Sequence, residues 1–363
     1  MRALGLTLAL TALPCVVPAA ALERARPRLE VAFVLDTTGS MGGLIEGAKR
    51  RIWSIARRIG EGRPRPELRV ALVAYRDAGD AYVTRVFDFT GDMDEVYQRL
   101  MSFQADGGGD TPEHVSRALS DAVHGVSWSR GDALKVVFLV GDAPPHLDYQ
   151  DGYDYRRHVR EARQRGILVD AIQCGGDAQT EAVWREVASL GQGHYARIDG
   201  QGGMPARVTP VDAELARLSG ELARTVVAGG TLAAQAATAR KLEGRASMAA
   251  PAAAEAAGYY AAADRLAEND LVDLPASEQK RRLETLEKAP GTAPPLLRGK
   301  TAEQAQAVLA QQKQERSRLQ ARILELQKRR DAFLATPGAA TDAFDEQVVQ
   351  SLRGRAAAHG VRY

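Results

Sequence analysis

Residues 31–42, VAFVLDTTGSMG, begin as an apolar run and change at Asp36 to small polar side chains. The apolar run is short and rich in valine, which is typical of a strand covered on both faces. Asp36, Thr38 and Ser40 follow at alternate positions, so that their oxygens can face one point, and the glycines allow a tight turn into a helix. The stretch predicts a strand, a loop and a helix, with oxygen ligands for a cation in the loop.

Two later stretches offer similar side chains. GGGDTPE at residues 107–113 supplies Asp110 or Thr111, and VVFLVGDAPPH at residues 136–146 supplies Asp142. Because loops at the carboxyl ends of parallel strands meet at one edge of a sheet, we expect the three stretches to converge. Carboxylate and hydroxyl oxygens are ligands of hard cations, so Mg2+ is the expected ion, with Mn2+ or Ca2+ as alternatives, and zinc is disfavoured.

The order of segments between residues 29 and 200 predicts an α/β fold, because apolar runs alternate with amphipathic segments. IEGAKRRIWSIARRI places its apolar residues on one helical face, as a helix packed on a sheet should. YVTRVFDFT alternates, which suits an antiparallel edge strand. We therefore predict a doubly wound, mostly parallel six-stranded sheet with strands at LEVAFVL, LRVALVAY, LKVVFLV and ILVDAI.

Taken together, DTTGS, GGGDTPE and GDAPPH resemble the three-part motif of the von Willebrand factor A domain, which carries a metal-ion-dependent adhesion site. Thr38 stands where that family more often has serine, a change that keeps the hydroxyl. The resemblance covers residues 29–200, with a helical end that could reach residue 228, and implies a Rossmann-like sheet. It also implies that the ion is held, partly through water, by Asp36, Thr38, Ser40, Thr111 and Asp142, with Asp110 as the reserve ligand.

The resemblance implies binding and not catalysis. In the family, a Glu or Asp side chain of another protein completes the coordination of the ion, so we expect a non-enzymatic protein-binding or scaffold module. Three alternatives stay open. The chain could be a phosphoaspartyl phosphotransferase or hydrolase of the haloacid dehalogenase type, because DTTGS is similar to DKTGT; an envelope scaffold in which the metal is only structural; or a chelatase-like adaptor.

Beyond residue 200 the chain is rich in Ala, Glu, Arg, Gln and Leu, which predicts an α-helical region. Residues 229–300 are expected to be an Ala-rich helical and linker region, in which MAAPAAAEAAG is a flexible connection and APGTAPPLLRG a break between helices. Residues 301–363 are expected to form a long helix and a C-terminal helix. The long helix has an apolar seam interrupted by Arg316 and Arg330, so it either folds back on its own chain or self-associates as a coiled coil.

The two ends of the chain suggest where the protein works. Residues 1–21 have the charge, apolar stretch and Ala-x-Ala ending of a cleavable signal peptide, so we expect export to the periplasm or cell envelope and no transmembrane span after cleavage. The last segment, FDEQVVQSLRGRAAAHGVRY, resembles the closing part of bacterial exported proteins that join this domain to a helical region. Cys174 is then the one remaining cysteine and is expected to be a buried apolar residue.

Net charge and one polar loop bear on the choice of partner. The formal charge of +2 gives no electrostatic reason to expect nucleic acid as a partner. The tract HLDYQDGYDYRR, directly after the last metal loop, has two interpretations. It is either an ordinary polar loop that ends in Asp154 as a helix N-cap, or a rim whose tyrosines contact the partner.

Overall fold

A single mixed sheet carries two of the three candidate loops. GGGDTPE was expected to follow a strand, and it lies instead between two helices, Met93–Met101 and Val115–His124. The computed structural model describes residues 26–109, 111–200, 208–335 and 344–363. The predicted signal peptide, residues 1–21, and the reserve ligand Asp110 lie outside the described residues. The sheet formed by the described residues has the order β3-β2-β1-β4-β5-β6. Its strands are β1 Arg28–Asp36, β2 Glu67–Tyr75, β3 Thr84–Thr90, β4 Leu134–Gly141, β5 Ile167–Cys174 and β6 Gln192–Ile198.

The strand order puts β1 at the centre and brings together the predicted loops that follow β1 and β4. β1 pairs in parallel with β2 on one side and with β4 on the other. Asp36 lies opposite Tyr75 of β2, and Leu35 lies opposite Val140 of β4, one residue before Gly141. The chain leaves β1 and β4 at the same edge, where the strand order reverses and α/β proteins commonly bind ligands. β3 pairs antiparallel with β2 at the edge, as predicted.

Helices cover both faces of the sheet, which confirms the doubly wound prediction. Alternate residues of β1 enter different cores: Phe33 packs on one side, and Ala32 and Val34 pack on the other. Trp53 and Trp184 are fully buried, one in each core. The helices of the sheet region are α1 Gly42–Gly60, α2 Met93–Met101, α3 Val115–His124, α4 Tyr155–Gln164 and α5 Ala178–Leu190.

The second half of the chain is helical, as predicted, but one of its segments was predicted wrongly. MAAPAAAEAAG was expected to be a flexible connection, and it lies largely within a buried helix packed on α1. Pro251 sits in the first turn, where its missing N–H costs nothing, and the alanines let two helices approach closely. The helices are α6 Asp212–Arg224, α7 Leu232–Ala246, α8 Ala250–Ala261, α9 Ala276–Lys288, α10 Ala302–Leu334 and α11 Phe344–Ala356.

The helix α10 uses its apolar seam within its own chain. It packs on α6, α8 and α9, and Leu319, Ile323 and Leu326 are buried there. The arginines that interrupt the seam are buried in ion pairs, Arg316 with Asp270 and Arg330 with Asp212. Self-association stays a prediction. Within the described ranges, the helices are too short or too polar to span a bilayer.

The helix α11 belongs to the core of the sheet region. It packs on α1, β4 and β6, and Phe344 contacts Phe33 of the central strand with ring centroids 5.9 Å apart. Arg355 donates two hydrogen bonds, at 2.8 and 2.7 Å, to the buried carboxylate of Asp170 on β5. The apolar side chain of Cys174 is buried at the end of the same strand, as predicted. The helix α11 therefore covers part of the sheet to which β1, β4 and β6 belong.

Candidate metal centre

Asp36 is the buried anchor of the candidate site. Its Oδ1 accepts hydrogen bonds from the backbone N–H of Thr38 at 2.9 Å and from the Thr38 hydroxyl at 2.6 Å. Its Oδ2 is buried and has no hydrogen-bond partner among the described residues. Burial raises the pKa of the Asp36 carboxyl to about 7; the Thr38 hydrogen bonds oppose this shift and the charge of Asp142 adds to it. One carboxylate oxygen is thus fixed and the other is left available.

The two hydroxyls of the first loop lie side by side. Thr38 is buried and Ser40 is exposed, and their hydroxyl oxygens are 3.3 Å apart. Below them, the Arg76 guanidinium donates hydrogen bonds to the carbonyls of Thr37 and Gln104 and so braces the loop from inside. The loop therefore presents a line of oxygens that runs from the buried Asp36 to the surface at Ser40.

The glycine-rich loop packs directly against the first loop. The backbone N–H of Gly39 donates to the Gly107 carbonyl at 3.2 Å, and the N–H of Asp106 donates to the Thr37 carbonyl at 3.1 Å. Gly108 has φ +72°, and a Cβ there would lie 2.8 Å from the Thr38 Cβ and 3.1 Å from the Glu113 Oε1. Only glycine fits this position, because both the backbone conformation and the neighbouring side chains exclude a larger residue.

The third loop brings Asp142 to the same edge. A Cβ at Gly141 would lie 2.3 Å from the Tyr75 hydroxyl and 3.2 Å from Asp36 Oδ2, so the backbone at Gly141 lies against the anchor carboxylate. Asp142 is half-buried, and its carbonyl accepts a hydrogen bond from the Thr180 hydroxyl at 3.0 Å. Its negative charge adds to the effect of burial in raising the pKa of Asp36.

The predicted ligands do not all occupy equivalent places. Asp36, Thr38, Ser40 and Asp142 lie on the two loops that leave β1 and β4 at one edge of the sheet. Thr111 is exposed at the surface. Its role as a ligand stays a prediction.

Glu113 is a buried carboxylate of this region that the sequence analysis did not include. It is 3% exposed, and Oε2 has no hydrogen-bond partner in the described part of the chain. Burial raises the pKa of the Glu113 carboxyl to about 9, and the negative charges of four nearby aspartates, Asp36 and Asp142 among them, act in the same direction. The glutamate in GGGDTPE was the available signal, but a glutamate directly before a helix is common for reasons unrelated to metal binding.

The loop after Asp142 forms one wall of the site. The His146 ring stacks on Tyr149 with centroids 4.1 Å apart, and the Tyr149 hydroxyl donates to Asp77 Oδ2 at 2.7 Å. Leu147, on the same loop, is 67% exposed. Asp154 accepts a hydrogen bond from the N–H of Arg157 and caps α4, so the first interpretation of this tract is confirmed for its end.

A cluster of two histidines and a glutamate, on α3 and α4, lies apart from these loops. Glu161 Oε2 is 2.8 Å from His124 Nε2 and 3.1 Å from His158 Nδ1, close enough for the three to share an ion. The guanidiniums of Arg157 and Arg165 face the other ring nitrogens, at 3.2 and 3.4 Å. Their positive charge opposes a cation, so the cluster is better described as a hydrogen-bonded network.

The residues at the sheet edge fit a hard divalent cation. The buried oxygens Asp36 Oδ2 and Glu113 Oε2 have no partner within the described ranges, and an isolated buried carboxylate is costly unless a proton or a cation compensates it. The candidate ligands are carboxylate and hydroxyl oxygens, the set preferred by Mg2+, Mn2+ and Ca2+. The arrangement can hold an ion at its base and leave the outer side open at Ser40.

Comparisons with known proteins concern the sheet region of the chain. The von Willebrand factor type A domain family matches residues 30–201 of the chain. The von Willebrand factor A domain-containing protein 7 of Rattus norvegicus is 38% identical over 122 residues, which are 33% of this chain and 12% of the relative. The protein of the same name from Mus musculus is 35% identical over 166 residues, 43% of this chain and 17% of the relative. The chain therefore spans less than a fifth of the length of these relatives.

A solved structure is also similar. Proximal thread matrix protein 1 from the mussel byssus, with a zinc-occupied MIDAS motif, superposes with a TM-score of 0.39 and 16% identity. The match covers 48% of this chain and 42% of that chain. The metal and the motif named there belong to the mussel protein.

Proposed function

Because residues 30–201 form a von Willebrand factor type A domain, we propose that this protein is a non-enzymatic binding module that captures an acidic group of a partner protein through a divalent cation. The observation that carries the proposal is the buried, unpartnered Asp36 Oδ2, placed beside the Thr38 and Ser40 hydroxyls at the sheet edge. Domains of this family are protein-interaction modules, which supports binding over catalysis.

Each ligand has a distinct role in the proposal. Asp36 and Asp142 hold the ion from below, and the hydroxyls of Thr38 and Ser40 add neutral oxygens on the outer side. A bound Mg2+, or Mn2+ or Ca2+ in its place, supplies positive charge and a coordination position that an outside carboxylate can fill. Arg76 and the glycine-rich loop keep the oxygens in place before the partner arrives.

The surface next to the site supports a protein partner. Leu147 is 67% exposed beside the loop that carries Asp142, and Tyr149 forms the wall beneath it. An exposed apolar side chain beside a charged centre suits a contact with an apolar residue that flanks the partner's Glu or Asp. We place this contact in the periplasm or cell envelope, on the basis of the predicted signal peptide at residues 1–21.

A crosslinked pulldown from envelope extract tests the proposal. The full chain is used as bait in Mg2+ and in chelator, and Asp36→Ala serves as the matched bait. We expect at least one partner that is captured in Mg2+ and lost both in chelator and with Asp36→Ala. An unchanged set of partners would favour the envelope scaffold, with a purely structural metal. A phosphate covalently bound to Asp36 after incubation with a phosphate donor would instead indicate the phosphotransferase.

A further inference from the structure

We propose that Glu113, and not Thr111, is the side chain that the GGGDTPE stretch contributes to the metal centre, so that the carboxylates of Asp36, Asp142 and Glu113 face the bound ion. The inference rests on the proposed function in one respect, the presence of a divalent cation at this sheet edge. It does not depend on the identity of any partner.

The backbone ties Glu113 to the loop that carries Asp142. The Glu113 N–H donates to the Pro144 carbonyl at 2.9 Å, and the His146 N–H donates to the Glu113 carbonyl at 3.0 Å. These two bonds form an isolated parallel bridge between Glu113 and Pro145, so the backbone at Glu113 is fixed to the loop that carries Asp142. Thr111, two residues earlier, is exposed.

The side chain of Glu113 extends to the Thr38 side of the site. Both side chains lie against Gly108, where an added Cβ would be 3.1 Å from Glu113 Oε1 and 2.8 Å from Thr38 Cβ. Thr38 in turn donates its hydroxyl to Asp36 Oδ1 at 2.6 Å. Glu113 therefore approaches the centre from the glycine-rich loop, the direction that the family motif assigns to its threonine.

The buried carboxylate of Glu113 needs a compensating group. The residue is 3% exposed, and no hydrogen-bond donor in the described ranges reaches Oε2. A proton or a metal ion can each supply that compensation. The two cases differ in what the substitution Glu113→Gln does. If a proton compensates Glu113, the substitution leaves the cation affinity of the site unchanged; if Glu113 is a metal ligand, the substitution lowers that affinity.

A third carboxylate changes what the site does. Three negative ligands around a divalent cation give a net negative centre, and each added carboxylate strengthens the binding of a hard cation. A partner's acid must then approach against this charge, and Glu113 competes with it for the ion. The protein would hold its metal tightly and its acidic partner weakly, with Glu113 setting the balance.

Isothermal titration of Mg2+ into the full chain tests the inference, with Glu113→Gln compared with Thr111→Val. Both changes keep the approximate volume of the side chain. We expect Glu113→Gln to weaken Mg2+ binding by about tenfold or more and Thr111→Val to leave it within about twofold. Circular dichroism and thermal unfolding in chelator serve as the control for folding, and we expect Glu113→Gln to be at least as stable as the wild type there, because a neutral amide is easier to bury.

The outcomes separate this inference from the proposed function. Unchanged Mg2+ affinity in Glu113→Gln, or a loss confined to Thr111→Val, would overturn the role of Glu113 while leaving the metal centre in place. A wild-type protein that binds no Mg2+ would overturn both. A loss in Glu113→Gln together with a partner set that ignores chelator would support Glu113 as a ligand and overturn the proposed function alone.

Discussion

Gly108 is a residue at which a substitution can disturb the geometry of the candidate metal centre. Its φ is +72°, and a Cβ would meet Thr38 and Glu113. Gly166 has nearly the same conformation, φ +70°, but nothing lies within 4 Å of an added Cβ. Gly166→Ala should lose about 1–2 kcal/mol for the left-handed backbone. Gly108→Ala should lose more, because its Cβ would also clash with Thr38, and only Gly108→Ala should weaken Mg2+ binding.

Urea unfolding and Mg2+ titration of the two glycine variants check this prediction. Equal Mg2+ affinities in Gly108→Ala and Gly166→Ala would mean that Thr38 and Glu113 can move aside without effect on the site.

Asp36 should be required for metal binding and dispensable for folding. A ligand present at about 100 times its dissociation constant stabilises the native state by about 2.7 kcal/mol. We expect Mg2+ to raise the melting temperature of the wild type and to have no effect on Asp36→Ala, whose melting temperature in chelator should stay close to that of the wild type. Differential scanning fluorimetry measures both. Asp132→Ala, at a side chain that is 90% exposed, is the control and should respond as the wild type does.

The sequence alone was enough to predict the candidate ligands that directly follow a strand. Asp36, Thr38, Ser40 and Asp142 could be placed because each follows an apolar strand, and the ends of parallel strands must meet. Glu113 could not be placed in this way, since it follows no strand and a glutamate after proline is ordinary at the start of a helix. Its burial depends on backbone bonds to Pro144 and His146, a contact that no local pattern in the sequence contains.

The helix α4 should make stability depend on pH through His158. This histidine is 3% exposed, and burial, with the neighbouring charges of Arg157 and His124, lowers its pKa from the ordinary value of 6.5 although Glu161 opposes the shift. Since the unfolded chain binds the proton more readily, the contribution of His158 to stability is complete above pH 6.5 and is lost as the pH falls towards its lowered pKa.

Urea unfolding at pH 7.5 and pH 5 measures this effect. We expect the free energy of unfolding to fall less between these two pH values in His158→Gln than in the wild type. The exposed His194→Gln is the matched control, and a difference in His194→Gln as large as that in His158→Gln would contradict the assignment to His158.

The helix α10 offers a direct comparison of a buried and an exposed arginine. Arg316 donates to Asp270 Oδ2 at 2.6 Å and to the Thr225 carbonyl at 2.8 Å, and Asp270 is 1% exposed. Arg316→Ala leaves this buried carboxylate without its cation and should cost about 3–5 kcal/mol of unfolding free energy. Arg318, half a turn away and exposed, pairs only with Glu315 through its side chain in the described contacts, and Arg318→Ala should change little.

Denaturant unfolding of the two arginine variants distinguishes these cases. Similar losses in Arg316→Ala and Arg318→Ala would show that the buried pair is no more important than a surface pair.

Strands and helices were predictable to different degrees. The strands were recognisable because a short apolar run bounded by polar loops is typical of a buried strand in an α/β pattern and too short for a buried helix. The helix α8 was mistaken for a flexible connection, because an alanine-rich segment with a proline carries no apolar periodicity. What fixes α8 is close packing on α1 and the buried Glu255, whose partner Arg330 lies 75 positions away.

At the scale of the whole molecule, the sheet region and the helical region share one apolar core. Residues of β1, α1, α6, α8, α10 and α11 all contribute to the same cluster. A fragment of residues 22–200 would leave α1 and one face of the sheet uncovered, so we expect it to aggregate or to bind a hydrophobic dye strongly. Dye fluorescence and size-exclusion chromatography compare the fragment with the full chain. A monomeric fragment that unfolds cooperatively would contradict the shared core.

The return of α11 to the central sheet has a consequence for biosynthesis. Arg353 donates a hydrogen bond to the carbonyl of Arg58, 295 positions earlier, and Phe344 contacts Phe33 of the first strand. Contacts between residues so far apart in sequence form late, because the intervening polypeptide must first be synthesised and the long loop must then close. We therefore expect the nascent chain to expose the apolar face of the sheet that α11 covers, and to bind chaperones, until α11 has been synthesised and has packed.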